Sequence, residues 1–318
     1  MAKLAGTYGN PSSFSELVFG TPLHSGQIRY VENAVADTNF LLPGNSWGHT
    51  EFIARYAMYL AWFKDGPYRP TTFQDWIAAQ WKGLIASYNY PIARESFQRL
   101  VFYKNTREEV DALITDIISS DPVHITLANG ARLDWGSLDG EGKLVEAARR
   151  QAIFVDEAGH IPDLSYTFDS ILYPRTMGVG GRIHLLGTPK PHSDPYLLEV
   201  YDKGRQPGNL EHYSQPGSVF ENEFWPNQEK ARVLRNSRYV KGWDQCPGAA
   251  YCEAPICWDG GSPAPDDSAW HPILTPLGRQ VFLGEFVIAG GYFFDRRQVA
   301  RMFTLEDDLP GHNVTWTS

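Results

Sequence analysis

The segment Ala152-Ile153-Phe154-Val155-Asp156-Glu157-Ala158 constrains this chain most. Four apolar residues run without alternation into two adjacent carboxylates, the pattern of a strand buried on both faces of a parallel sheet. Open α/β sheets bind ligands beyond the carboxyl ends of their strands, where Asp156 and Glu157 would stand. In a nucleotide hydrolase the first carboxylate of such a pair holds Mg²⁺, directly or through water. The second orients or deprotonates the attacking water. The plain alternative is a buried strand that stops at a solvated acidic turn.

A second segment lies upstream, Phe40-Leu41-Leu42-Pro43-Gly44-Asn45-Ser46-Trp47-Gly48-His49-Thr50. It reads as a short apolar strand, a small-residue loop and a helix predicted over 50–63, where Phe52, Ile53, Tyr56, Ala57, Leu60 and Ala61 keep helical spacing. In this order, loop amides and a helix N-terminus face an anion. Thr50 falls where a P-loop places the hydroxyl that ligates Mg²⁺. The lysine expected before it is His49, whose imidazole is ordinarily mostly neutral near pH 7, and Pro43 takes the place of the first glycine. A glycine turn before a helix is common, but joined to Asp156-Glu157 the loop forms a coherent ATP site.

Around these segments the chain alternates strands and helices, which predicts a mainly parallel α/β sheet. Residues 1–25, rich in Gly, Ser and Pro, read as an irregular leader. A helical pattern starts at 27–33. There Gln27 is a candidate reader of the adenine edge, the alternative being an exposed polar residue on a helix. Lys82–Ser87 reads as a strand, 92–118 as mostly helical, and Ala128-Asn129-Gly130-Ala131 as the turn of a hairpin. A helix is expected near 166–172, with Asp163 as its cap. Arg182–Leu186 reads as a further buried strand. Beyond Gly204 the character changes: 206–218 reads as loop and 227–238 as a short charged helix. The stretch 247–265 is dense in Gly, Pro and Cys.

The strand Arg182–Leu186 ends in Leu186-Gly187-Thr188-Pro189-Lys190, a small hydroxyl-bearing turn one helix downstream of the carboxylates. Together the three motifs resemble those of the large terminase subunit of tailed bacteriophages, the motor that packages genomic DNA. Residues 44–50 look like its phosphate loop, Ile153 to Ala158 like its carboxylate motif, and 186–190 like its coupling motif, which more often opens with Ser than Gly. Residues 278–287 are similar to the stretch leading out of its ATPase domain.

The resemblance implies a P-loop NTPase fold of additive-strand, RecA-like type, with a mainly parallel central sheet flanked by helices and a small lid subdomain. It places the ATPase core at 26–205, the lid or linker subdomain at 206–300 and, at 301–318, the lead-in to a nuclease domain that this chain would lack. ATP would bind at Gly44, Asn45, Ser46, Trp47, Gly48, His49 and Thr50, with Gln27 nearby. Thr50 and Asp156 would hold Mg²⁺, Glu157 would be the catalytic glutamate, and Thr188 would couple hydrolysis to motion. Implied partners are double-stranded DNA, the portal protein, the small terminase subunit and copies of the chain in a ring, in this family a pentamer. The implied place is the cytoplasm of the infected bacterial host, outside the mature virion. Arg55, Arg94 and Lys190 are candidates to replace the missing lysine, and Arg149 or Arg150 to serve as an arginine finger. Rival readings are a catalytically weak or inactive nucleotide-binding scaffold, favoured by His49, and a helicase-like ATPase.

Bulk properties limit other classes. A net charge of −9 over 318 residues argues against a static, strongly basic nucleic-acid binder, but not against a motor that grips DNA through a local patch. No apolar run approaches the ~20 residues that span a bilayer, and three cysteines cannot all pair within one chain, so an intracellular protein without a membrane is expected. Cys246, Cys252 and Cys257, with His271, are candidate ligands for a structural Zn²⁺, the alternative being reduced loop cysteines.

Overall fold

The structure, a computed structural model, describes residues 2–64, 80–120, 122–139, 148–190, 193–235, 238–241, 270–273, 276–284 and 286. In chain order the elements that build the site are α1 (Pro11–Phe19), α2 (Ser25–Asn33), β1 (Thr38–Pro43), α3 (His49–Phe63), β2 (Lys82–Ser87) and α4 (Tyr90–Thr106). They are followed by β3 (Ile114–Ile118), β4 (His124–Leu127), β5 (Arg132–Ser137), β6 (Ala152–Asp156), β7 (Arg182–Leu186), α5 (Pro195–Gly204) and β8 (His212–Gly217). Beyond these lie α6 (Asn227–Arg235), the antiparallel pair β9 (Arg238–Lys241) and β10 (Trp270–Ile273), and α7 (Pro276–Leu283).

Strands β1 to β8 form one sheet in the order β3-β4-β5-β2-β6-β7-β1-β8. The run from β5 to β8 is parallel, and only the β3–β4 and β4–β5 pairings are antiparallel. Both β1 and β6 are buried throughout, as continuous apolar runs between two helical layers should be. Alternate residues feed two cores. Leu41, Ile85, Phe154 and Leu186 join one face, against α3; Phe40, Ala86, Val155 and Leu185 join the other. Helix α3 is buried continuously from Phe52 to Trp62, which explains why it is apolar nearly all round. At its far end the hairpin turn between β4 and β5 reaches back: Asn129 Nδ2 donates to the carbonyls of Ala61, at 2.9 Å, and Trp62, at 2.7 Å.

Three elements differ from expectation. The leader is not irregular: Asn10 caps α1, a proline opens it, and Phe14, Val18 and Phe19 are core residues. Ile114–Ile118 is a strand rather than the tail of a helix, its β-branched residues pairing with β4 at the sheet edge. His212–Gly217, expected as loop, is β8, which pairs along the whole of β1. Pro216 is tolerated there because β8 lies at the edge. The expected helix near 166–172 runs over 164–176 with Asp163 as its cap, and widens to a π turn at Thr167–Leu172. Pro174 cannot donate to the preceding turn, and the wider turn absorbs that loss. Among the described residues no helix is long and apolar enough to cross a membrane.

Candidate functional site

The predicted loop leaves β1 at Pro43 and enters α3 at His49. Its framework is set by groups that sequence spacing did not reveal. Gly44 N–H donates to the Gly217 carbonyl at 2.8 Å and Asn45 N–H to the Val281 carbonyl at 2.6 Å. Asn222 Nδ2 donates to the Ser46 carbonyl at 3.1 Å, and a His24 ring nitrogen lies 3.0 Å from the Trp47 carbonyl. A Cβ on Gly44 would collide with the Phe282 carbonyl, so this glycine lets α7 seat on the loop. The Trp47 side chain is wholly buried, with Nε1 3.3 Å from Glu221 Oε2, and its amide turns inward to the Gly44 carbonyl. By contrast, the amides of Ser46, Gly48, His49 and Thr50 meet no acceptor among the described residues. These donors, at the loop tip and the first turn of a buried helix, are suited to an anion.

Gln27 is buried rather than exposed. It forms a capping box with His24, its Oε1 accepting the His24 N–H, and lies beside Gly48.

Beyond the loop stand the carboxylates. Thr50 Oγ1 donates to Asp156 Oδ2 at 3.2 Å, so two residues 106 apart in sequence meet. Glu157 lies in the left-handed region, at φ 55°, immediately after β6. Such backbone is costly for a residue with a side chain, and it turns the carboxylate toward the loop. The turn after β7 packs against it. Gly187 is also left-handed, at φ 142°, and a Cβ there would lie 2.8 Å from Glu157 Cα. Glycine at the position where the resembled motif more often has serine is thus fitted to this close approach. Thr188, also buried, donates from Oγ1 to Asn45 Oδ1 at 3.0 Å. Gln280, on α7 and buried, donates from Nε2 to the Pro189 carbonyl at 2.9 Å.

His49 Nε2 lies 3.3 Å from Asp156 Oδ1 and 3.2 Å from Glu157 Oε1, with only 11% of its side chain exposed. Neither oxygen is in line with the ring N–H, so these are ion pairs rather than linear hydrogen bonds. Burial alone would lower the imidazole pKa, but the two carboxylates outweigh it and push it up to about 10. The expectation of a mostly neutral His49 is therefore corrected: the residue replacing lysine is held protonated by its neighbours. Burial likewise raises the Glu157 pKa, and His49, then Lys190 and His160, more than reverse this and hold it below its ordinary value.

Of Arg55, Arg94 and Lys190, the candidates to replace the lysine, Lys190 is the one whose charge Glu157 feels. Arg55 is committed elsewhere, to Glu51 at 2.8 Å, the Thr21 carbonyl and the Tyr103 hydroxyl. Arg150, a candidate finger, is buried in an ion pair with Asp134 and cannot reach out of the subunit. The candidate zinc ligands Cys246, Cys252 and Cys257 lie outside the described residues, and of His271 only the backbone, in β10, is described.

The residues present fit Mg²⁺ and a triphosphate. Thr50 and Asp156 supply hard oxygen ligands, the open amides face an anion, and three buried polar atoms nearby, His49 Nε2, Glu157 Oε2 and Ser87 Oγ, have no hydrogen-bond partner.

In the sheet, β7 is inserted between β1, which leads into the loop, and β6, which ends at the carboxylates. That order gives the fold class, a mainly parallel α/β sheet of additive-strand, RecA-like type. Among solved structures, the chain is similar to the ATPase domain of the large terminase of Thermus phage P74-26, with 16% identity and a TM-score of 0.56 over 86% of this chain and 97% of that one. It is also similar to the large terminase of bacteriophage HK97, with 16% identity and a TM-score of 0.50 over 65% of this chain and 43% of that one. A third likeness is to the large terminase of a thermophilic bacteriophage in complex with ADP, with 14% identity and a TM-score of 0.50 over 68% of this chain and 50% of that one. No protein-family model matches the chain, and no curated protein sequence matches it either.

Proposed function

We propose that this chain is the ATP-hydrolysing motor of a phage-type large terminase, which drives double-stranded DNA into a procapsid. The observation that carries the reading is the meeting of Thr50 and Asp156 at 3.2 Å, at the mouth of a loop with open amides and with Glu157 beside it. Loop and helix amides would bind the β- and γ-phosphates, with His49 and Lys190 supplying positive charge. Thr50 and Asp156 would hold Mg²⁺, which when bound neutralises charge on the phosphates. Glu157 would accept a proton from water as the water oxygen bonds to the γ-phosphorus. The bond to the β–γ bridging oxygen breaks, and ADP and phosphate leave.

To act, Glu157 would exchange its His49 partner for water. Gln27, closing the loop from α2, remains the candidate for the adenine edge. Thr188 would pass nucleotide state to the rest of the chain, a reading its hydrogen bond to the loop supports. Work on DNA calls for a ring, a pentamer on the portal protein, supplied with DNA by the small subunit.

One observation favours a catalytically silent scaffold instead: His49 Nε2 lies 3.3 Å from Asp156 and 3.2 Å from Glu157, between the carboxylates where Mg²⁺ would supply charge. Calorimetry with Mg·ATP, together with Mg²⁺-dependent phosphate release by the wild type and by Glu157→Gln, separates the two. Binding, with turnover that Glu157→Gln abolishes, supports the motor. Binding without turnover in either protein supports the scaffold, and absence of both overturns the nucleotide site.

A further inference from the structure

The carboxyl ends of four neighbouring strands present a row of polar side chains: Ser137 on β5, Ser87 on β2, Asp156 on β6 and Thr188 just beyond β7. Three of them are engaged. Ser137 Oγ donates to the Tyr88 carbonyl, Asp156 accepts from Thr50, and Thr188 donates to Asn45. Ser87 is the exception. It is 0% exposed, and its Oγ has no hydrogen-bond partner among the described residues.

Register fixes where that hydroxyl stands. Ser87 pairs directly with Asp156 across the parallel β2–β6 ladder. Side chains alternate along a strand, so Ser87 shares the face of Ile85 and Asp156 shares the face of Phe154. Both Ile85 and Phe154 belong to the core on the α3 side, where Thr50 meets Asp156. Ser87 Oγ is therefore on the same side of the sheet as the Asp156 carboxylate, one strand away and about 5 Å apart at the backbone. The two make no direct hydrogen bond. A buried hydroxyl without a partner destabilises the fold that contains it, and alanine would serve better if packing were its only task.

We propose that Ser87 is a positioning residue for hydrolysis. When Mg·ATP is bound, its hydroxyl donates to a water molecule held between itself and Asp156, and this bridge fixes the Asp156 carboxylate as a Mg²⁺ ligand. The proposal rests on the motor reading given above. It explains why the one partnerless hydroxyl in the row stands beside the carboxylate expected to hold the metal.

The test compares wild type with Ser87→Ala and with the isosteric, weaker donor Ser87→Cys. It measures the thermal midpoint without ligand, the Mg²⁺ concentration at half-maximal binding of a non-hydrolysable ATP analogue, and turnover. Ser87→Ala should melt at or above the wild-type temperature, because it removes an unsatisfied group. It should also need roughly three- to tenfold more Mg²⁺, with Ser87→Cys between the two. This opposed pair of signs is one that a structural role cannot produce. A lowered midpoint without ligand makes Ser87 a packing residue and overturns the proposal, as does an unchanged Mg²⁺ requirement. Wild type that binds no Mg·ATP overturns the motor reading itself; wild type that binds while Ser87→Ala matches it overturns only the role of Ser87.

Discussion

Thr188 donates its hydroxyl proton to the Asn45 side chain at 3.0 Å, joining the turn after β7 to the loop between β1 and α3. The same loop residue donates its amide to Val281, and the neighbouring Gln280 donates its side chain to Pro189, one residue beyond Thr188. Loop, turn and α7 thus form a closed ring of three hydrogen bonds. Displacing any one member strains the other two.

Thr188→Val keeps the shape of the side chain and removes the donor. ATP affinity should change little, while turnover should fall about tenfold, the effect of losing one well-placed hydrogen bond. Steady-state phosphate release beside calorimetry checks this. Equal losses in affinity and turnover would mean that Thr188 only supports the loop.

Glu157→Gln retains size and packing but cannot accept the proton from water. Turnover should drop roughly a hundredfold to ten-thousandfold while nucleotide still binds. Undiminished hydrolysis would show that Glu157 is not the base.

The pair formed by His49 and Glu157 sets a pH window for the ligand-free protein. The folded-state pKa of His49, about 10, lies above its ordinary 6.5, so its stabilisation is complete below pH 6.5 and is lost as pH rises through 10. The Glu157 pKa is depressed below 4.5, so its contribution is complete above that value and is lost as pH falls further. Thermal midpoints recorded from about pH 5 to about pH 10 should decline on the alkaline side. His49→Gln should flatten that decline, and parallel curves for the two proteins would count against a charged His49.

Gln280→Ala strips the buried Pro189 carbonyl of its donor. A loss of about 1–3 kcal/mol is expected from such an orphaned group, with faster amide exchange at Asn45 as α7 loosens. Native-state hydrogen exchange measures both, and protection at Asn45 equal to wild type would separate α7 from the loop.

Much of this arrangement is legible in the sequence because it rests on short, uninterrupted apolar runs. β2, β6 and β7 are buried on both faces, so length and composition mark them without alternation. Asp156, Glu157, Thr50 and Thr188 follow as the polar groups that end such runs or open the next element. β8 escapes because His212-Tyr213-Ser214-Gln215-Pro216-Gly217 is polar and contains proline; its pairing with β1 makes it a strand. α1 carried legible signals, Asn10 as cap and Pro11 at its start, within a stretch whose Gly and Ser content masked them. His24, Asn222 and Gln280 reach the loop from distant positions, and nothing local in sequence announces a tertiary hydrogen bond. The charge on His49 is of the same kind, for it depends on two carboxylates more than a hundred positions away.

The grip of Asn129 on the Ala61 and Trp62 carbonyls has a mechanical consequence. Helix α3, which begins at the loop after β1, is moored at its opposite end to the β4–β5 hairpin, and its flanks are buried in between. It behaves as an anchored post, not a sliding piston. On the proposed motor function, a push generated at the loop would not be discharged along the helix axis but would leave sideways, through the turn after β7 and the helix seated on it.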